Sequence, residues 1–174
     1  MFANAGIQSF HPLLEMEDSD WQITIDVNLT GTANAVRAFA PYIVKRGGGR
    51  IILTSSTQGQ HGTKYGASYS ASKWGLRGIT KSFALEVGQH NINVNYVAPG
   101  MVDGPRFRDK VCADMAKRFG ITLEQAMQRH AADYALRRVT TDIDVANACL
   151  FLASDVSRQL TGVDLPVDGG WAML

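Results

Sequence analysis

Apolar side chains recur at three- and four-residue steps from Ser19 to Val44: Trp21, Ile25, Leu29, Ala33, Val36, Phe39 and Ile43. That period predicts a long helix, with Ser19 as its N-cap and Gly47-Gly48-Gly49 as its end. The pattern then changes. Arg50-Ile51-Ile52-Leu53-Thr54 is a short continuous apolar run, as in a strand covered on both faces. A polar loop carrying Gly59, Gly62 and Gly66 leads to a second long helix from about Ser68 to Val87. Ile92 to Val97 reads as the next strand, stopped by Pro99-Gly100. A looser helical region runs from about Pro105 to Leu136, and Asp144 to Ala153 is a helix with Val145, Ala148, Cys149 and Leu152 on one face. Val163 to Val167 is a last short strand, closed by Asp168-Gly169-Gly170. At the front, Phe2-Ala3 reads as the end of a buried strand and Asn4-Ala5-Gly6 as the turn that stops it. Alternating strands and helices predict an α/β fold with a parallel sheet.

Composition narrows the class. At 174 residues the chain is most economically one domain, residues 1–174, with 45% hydrophobic and 19% charged residues. A net charge of +1 gives no electrostatic case for nucleic acid. Cys112 and Cys149 lack metal-ligand spacing, so no metal site is expected and both read as reduced structural thiols. No apolar run approaches the ~20 residues of a membrane span, and the first residues do not form a signal peptide. The expectation is a soluble cytoplasmic protein.

Chemistry concentrates in Tyr69-Ser70-Ala71-Ser72-Lys73, at the start of the second long helix. The i, i+4 spacing puts phenol and ammonium on one face, one turn apart. A nearby cation favours phenolate, so Tyr69 is expected to have a lowered pKa and to act as a general acid or base. Spacing alone does not establish this, since Tyr134 and Arg138 form a similar pair. Ser56, thirteen residues before Tyr69, ends the Ile51–Thr54 strand, on the edge of an open α/β sheet where ligands bind. Asn28 lies mid-helix among apolar neighbours, where an amide is a poor choice for packing or propensity. Asn4-Ala5-Gly6 and Pro99-Gly100 end strands at the same edge.

Six segments in order resemble the short-chain dehydrogenase/reductases: Asn4-Ala5-Gly6, Val27-Asn28-Leu29-Thr30-Gly31, Thr54-Ser55-Ser56, Tyr69 to Lys73, Asn93 to Gly100, and Val167-Asp168-Gly169-Gly170. The resemblance covers essentially the whole chain. It implies a partial doubly wound, Rossmann-like sheet in three α/β/α layers. It further implies a secondary alcohol–ketone oxidoreductase using NAD or NADP, with a catalytic tetrad of Asn28, Ser56, Tyr69 and Lys73. In that scheme Tyr69 exchanges the proton and Ser56 bonds the same oxygen. Lys73 lowers the Tyr69 pKa and holds the nicotinamide ribose, and Asn28 orders a water leading from Lys73. The cofactor is placed against Asn4, Ala5, Gly6, Tyr69, Lys73, Pro99, Gly100 and Val102. Residues 104–140 become a substrate loop or lid, and the two long helices become the interface of a homodimer or homotetramer.

Two departures from the family pattern stand out. The first three strands and the glycine-rich phosphate turn are missing, so Met1 is expected to enter the fold at its fourth strand. Gly59, Gly62 and Gly66 have the wrong spacing to replace that turn and read instead as a mobile active-site loop. Where the family usually has a threonine that contacts the nicotinamide carboxamide, this chain has Gly104. The rival reading is therefore a catalytically silent remnant or interaction module with no dinucleotide site.

The other candidates are blander. Of His11, His61, His90 and His130, only His61, beside Ser56, is a candidate to face substrate. Arg106, Arg108, Lys110 and Arg118 read either as a holder of an acidic substrate or as a solvated helix face. Met115, Phe119, Met127 and Tyr134 read either as a lid lining or as a core stripe.

Overall fold

The computed structural model describes residues 1–173. Its sheet has four parallel strands in the order β1 (Phe2–Ala3), β2 (Gly49–Thr54), β3 (Ile92–Pro99), β4 (Asp164–Val167). The register pairs Phe2 with Ile52, Ile52 with Asn95, and Val97 with Leu165. Alternation along the strands sends side chains to two cores. Ile51, Leu53, Val94, Tyr96 and Ala98 meet Val36 and Leu76 on one face. Ile52 and Val97 meet Leu152, Val145, Ala148 and Cys149 on the other. The parallel α/β sheet is the one the sequence pattern predicts, and its three α/β/α layers are those the family resemblance implies.

The first long helix is a single rod with a flaw in its middle. Helix α1 (Asp18–Ile25) runs through a π-helical turn, Asp26–Thr30, into α2 (Gly31–Lys45). Its cap is Glu17 rather than Ser19: the Asp20 carboxylate accepts the Glu17 N–H at 3.3 Å. The apolar stripe is buried only in part. Val36 is buried and Leu29 and Ile43 pack against the sheet core, but Trp21 is 38% exposed and Phe39 56%, whereas Thr24, Asn28 and Thr32 are buried. The hidden face is polar upstream, where it meets hydroxyl-bearing neighbours, and apolar at Val36, where it meets the sheet. Helix α3 (Ala67–Val87) follows the same habit, burying Ser68, Ser72, Lys73, Leu76 and Thr80.

The region after β3 forms a third, separate core. A π-helical segment, Arg106–Cys112, and the short helices α4 (Ala113–Phe119) and α5 (Leu123–Ala131) close around Phe107, Cys112 and Ala126. Thr122 and Gln125 form a capping box on α5, and Thr141 and Asp144 do the same on α6 (Asp142–Ala153). No helix among the described residues is long and apolar enough to cross a membrane.

Candidate active site

All four strands end at one edge, and the chain leaves them there through Asn4-Ala5-Gly6, Ser55-Ser56, Gly100-Met101 and Asp168-Gly169. A hydrogen-bonded seam pins the first turn of α3 under that edge. Asn28 is fully buried. Its Nδ2 donates to the Ile7 carbonyl at 2.9 Å and to Ser72 Oγ at 3.0 Å, while its Oδ1 accepts the Ile7 N–H at 2.8 Å. Ser72 Oγ donates onward to the Tyr69 carbonyl at 2.7 Å. Ser9 bonds Thr24 at 2.7 Å and Ser68 at 3.2 Å. The Asn28 amide is thus engaged in fastening the N-terminal loop to the tyrosine-bearing helix.

Lys73 is buried, with its Nζ donating to the Thr54 carbonyl at 2.8 Å and lying 5.5 Å from the Tyr69 ring centre. Burial pulls its pKa down from 10.5 to about 8. Tyr69 departs from expectation. Burial pushes its phenol up, against the opposing pull of the Ser56 hydroxyl and of Arg106. For a phenol set this deep, desolvation outweighs what these neighbours return. Ser56 is fixed by the turn it begins, its Oγ accepting the Gln58 N–H at 3.2 Å.

A cavity of about 480 Å³ opens over this group. Ser56 and Tyr69 form one wall, and Pro99, Gly100, Met101, Val102 and Gly104 another. Phe107, His130, Tyr134 and Trp171 cover the far side. Asn4, Ala5, Gly6, Asn28 and Lys73 lie outside that lining. A Cβ on Gly6 would stand 3.5 Å from Lys73 Nζ and 3.1 Å from Asn28 Oδ1, so glycine lets the first turn pack closely against both side chains. The proposed cofactor residues therefore fall in two groups, Pro99, Gly100 and Val102 with Tyr69 along the cavity and Asn4, Ala5, Gly6 and Lys73 outside it.

Several participants were not legible beforehand. Tyr134 is buried, and its hydroxyl accepts the Met101 N–H at 3.0 Å, holding the Pro99-Gly100-Met101 turn in place. His61 turns away from the cavity, its Nε2 lying 2.8 Å from the Ala172 carbonyl and its ring edge-on to Trp171. His130 faces the cavity instead. Trp171 is set by Asp168, whose carboxylate accepts the N–H groups of Gly170 and Ala172 at 3.0 and 2.8 Å. The Asp168-Gly169-Gly170 motif signalled that turn, but nothing signalled where it would lead. Gly59 is likewise not part of a free loop: it is buried, and a Cβ there would stand 2.9 Å from the Lys73 carbonyl oxygen. Among the described residues no cluster of three or more His, Cys, Asp or Glu side chains is arranged to hold a metal ion.

Residues 1–172 match the family described as Enoyl-(Acyl carrier protein) reductase. The chain is 36% identical over 167 residues to a 3-oxoacyl-[acyl-carrier-protein] reductase of Thermotoga maritima, covering 96% of this chain and 63% of the relative. It is 34% identical to a D-beta-hydroxybutyrate dehydrogenase of Rhizobium meliloti, covering 97% of this chain and 65% of the relative. The chain belongs to the short-chain dehydrogenase/reductase family. Carveol dehydrogenase of Mycobacterium avium, solved with NAD, superposes with a TM-score of 0.89 at 36% identity, over 99% of this chain and 64% of that one. ElxO, solved with NADP bound, superposes with a TM-score of 0.85 at 26% identity, over 99% of this chain and 66% of that one. The chain thus spans about two-thirds of the length of the relatives it matches.

Proposed function

We propose that this chain carries the catalytic part of an NAD(P)-dependent oxidoreductase that interconverts a secondary alcohol and a ketone, with Tyr69 as the general acid and base. The observation that carries this reading is the grouping of Ser56, Tyr69 and Lys73: Tyr69 shares the cavity lining with Ser56, and its ring centre lies 5.5 Å from Lys73 Nζ. Lys73 has N–H donors to spare beyond its bond to Thr54. Those donors suit the ribose hydroxyls of a nicotinamide nucleotide. The cofactor, when bound, supplies or accepts the hydride.

The chain's own residues handle the proton. In the reducing direction the Tyr69 phenol, protonated at neutral pH, donates its proton to the carbonyl oxygen as that oxygen gains charge. Ser56 donates a second hydrogen bond to the same oxygen, stabilising it in a site partly closed to water. Lys73, mostly ammonium below pH 8, favours the tyrosinate left behind. Asn28 positions the turn that carries Tyr69. The oxidation direction runs the same proton in reverse, from alcohol to tyrosinate.

Tyr69→Phe tests the reading. Over a panel of secondary alcohols and ketones with NADH and NADPH, the variant should lose roughly a hundred- to ten-thousand-fold in turnover. Cofactor affinity, read by fluorescence titration, should change little. Near-normal turnover by Tyr69→Phe would refute the assignment, and absence of hydride transfer by the wild type would favour the silent remnant.

A further inference from the structure

The cavity over Tyr69 has a one-sided charge. Of its lining residues only Arg106 is fully charged at neutral pH, and no carboxylate or lysine faces it. Two residues away, Arg108 is clamped to Asp103, with Nε at 2.7 Å from Oδ1 and Nη2 at 2.8 Å from Oδ2. Arg106 makes no such pair: among the described residues its side chain forms no ion pair or hydrogen bond. It sits at the mouth, on the wall that also carries Phe107, and is exposed. Deeper in, His130 presents a buried Nδ1 without a partner. An unpaired guanidinium at the rim of a pocket lacking countercharge is a ready bidentate site for a carboxylate or phosphate oxygen pair.

We propose that Arg106 selects a substrate bearing an acidic group, a ketone or secondary alcohol with a carboxylate or phosphate a few atoms from the reacting carbon. This rests on the reading of Tyr69 as the proton donor. An oxyanion near Arg106 has two sources, the substrate or the phosphates of the cofactor. The placing favours the substrate, because Arg106 lines the same cavity as the Ser56 and Tyr69 side chains that would hold the reacting oxygen. The mouth position suits a group that trails toward solvent while the carbonyl reaches Ser56 and Tyr69.

A matched pair of probes isolates the charge: acetoacetate and its ethyl ester share the ketone and differ in the carboxylate. Ligand-detected NMR titration of the full chain, with and without NADH or NADPH, should show at least tenfold preference for acetoacetate. Arg106→Gln should remove that preference by weakening acetoacetate alone, and Arg106→Lys should retain part of it. Equal affinity of the wild type for both probes would overturn the proposal. So would an Arg106→Gln change confined to cofactor affinity, which would assign the residue to the cofactor phosphates. The binding readout does not require turnover. An intact charge preference with no reduction of either probe would sink the oxidoreductase reading and leave the anion site standing. Circular dichroism on both variants checks folding, which a substitution at this exposed position should not disturb.

Discussion

Lys73 is a site residue whose chemistry departs far from that of its free side chain. In the unfolded chain its ammonium loses its proton near pH 10.5, and in the folded chain near 8. The folded state therefore binds fewer protons across that window, and stability rises with pH from about 8 to 10.5. Below pH 8 the buried ammonium costs on the order of 3 kcal/mol. Lys73→Met should abolish turnover yet raise the unfolding free energy at pH 7 by about 2 kcal/mol, after allowing for the lost bond to Thr54. The gain should vanish toward pH 10.5, as read from urea melts across the range. A variant less stable than wild type at pH 7 would show that the lysine is held at no cost. Tyr69 teaches the converse: the i, i+4 spacing was visible in the sequence, but the burial that raises its phenol was not.

Among elements, the strands, the outer helices and the inner face of α6 were legible, and most of the inner face of the first long helix was not. Strands β2 and β3 announced themselves because a strand covered on both sides has no polar alternation to conceal it. The apolar stripe held at Val36 but misled at Trp21 and Phe39, because periodicity reports that a helix has two sides, not which side meets the protein. Upstream of Val36 the inner stripe, Thr24, Asn28 and Thr32, is polar and looks like surface until Ser9 and Ser72 are placed against it. Ser56, Tyr69 and Lys73 were legible as types at a strand end and a helix start. Arg106 and Tyr134 each carried two open readings in the sequence and Trp171 none, because all three reach the same cavity through the segment after β3 and the final turn, across distances that no local pattern spans. Gly59 gives the element-scale prediction. Gly59→Ala would drive a methyl group against the backbone of α3 at Lys73, where no side chain can swing aside. It should cost about 1–3 kcal/mol and lower turnover by displacing Lys73. Gly62→Ala, with open space around it, should be silent in both assays.

For the molecule as a whole, the unfilled surfaces decide its company. Strand β1 is the edge of the sheet, with Phe2 half exposed, and cavities of about 280 and 660 Å³ flank it on the two faces. An uncovered edge with apolar flanks is a template for further pairing. The long helices present a second apolar surface through Tyr42, 73% exposed, and Leu85, 87% exposed. We propose that the helices form a homodimer or homotetramer and that the edge drives looser association. Light scattering at micromolar concentration should find a defined oligomer that Tyr42→Asp with Leu85→Asp reduces to monomer. Phe2→Lys should remove only the larger, indefinite species. A wild type that is monomeric at this concentration would refute the helical interface.

The wide turn at Asp26–Thr30 has one further consequence, which concerns phase. It adds one residue to a rod that is otherwise α-helical, and each residue of α-helix advances the azimuth by about 100°. Upstream, the rod must aim Thr24 at Ser9; downstream, it must aim Val36 into the sheet. Asn28 sits where the two azimuths are reconciled, and its carbonyl, loosened from the regular ladder, takes the Thr32 hydroxyl at 2.8 Å. The rod therefore works as two helices of different phase sharing one axis, with the residue count between Thr24 and Val36 as the setting. Substitutions can be absorbed there one by one. A change of length by a single residue cannot, since it would turn either the seam that holds Tyr69 or the core beneath it to face water.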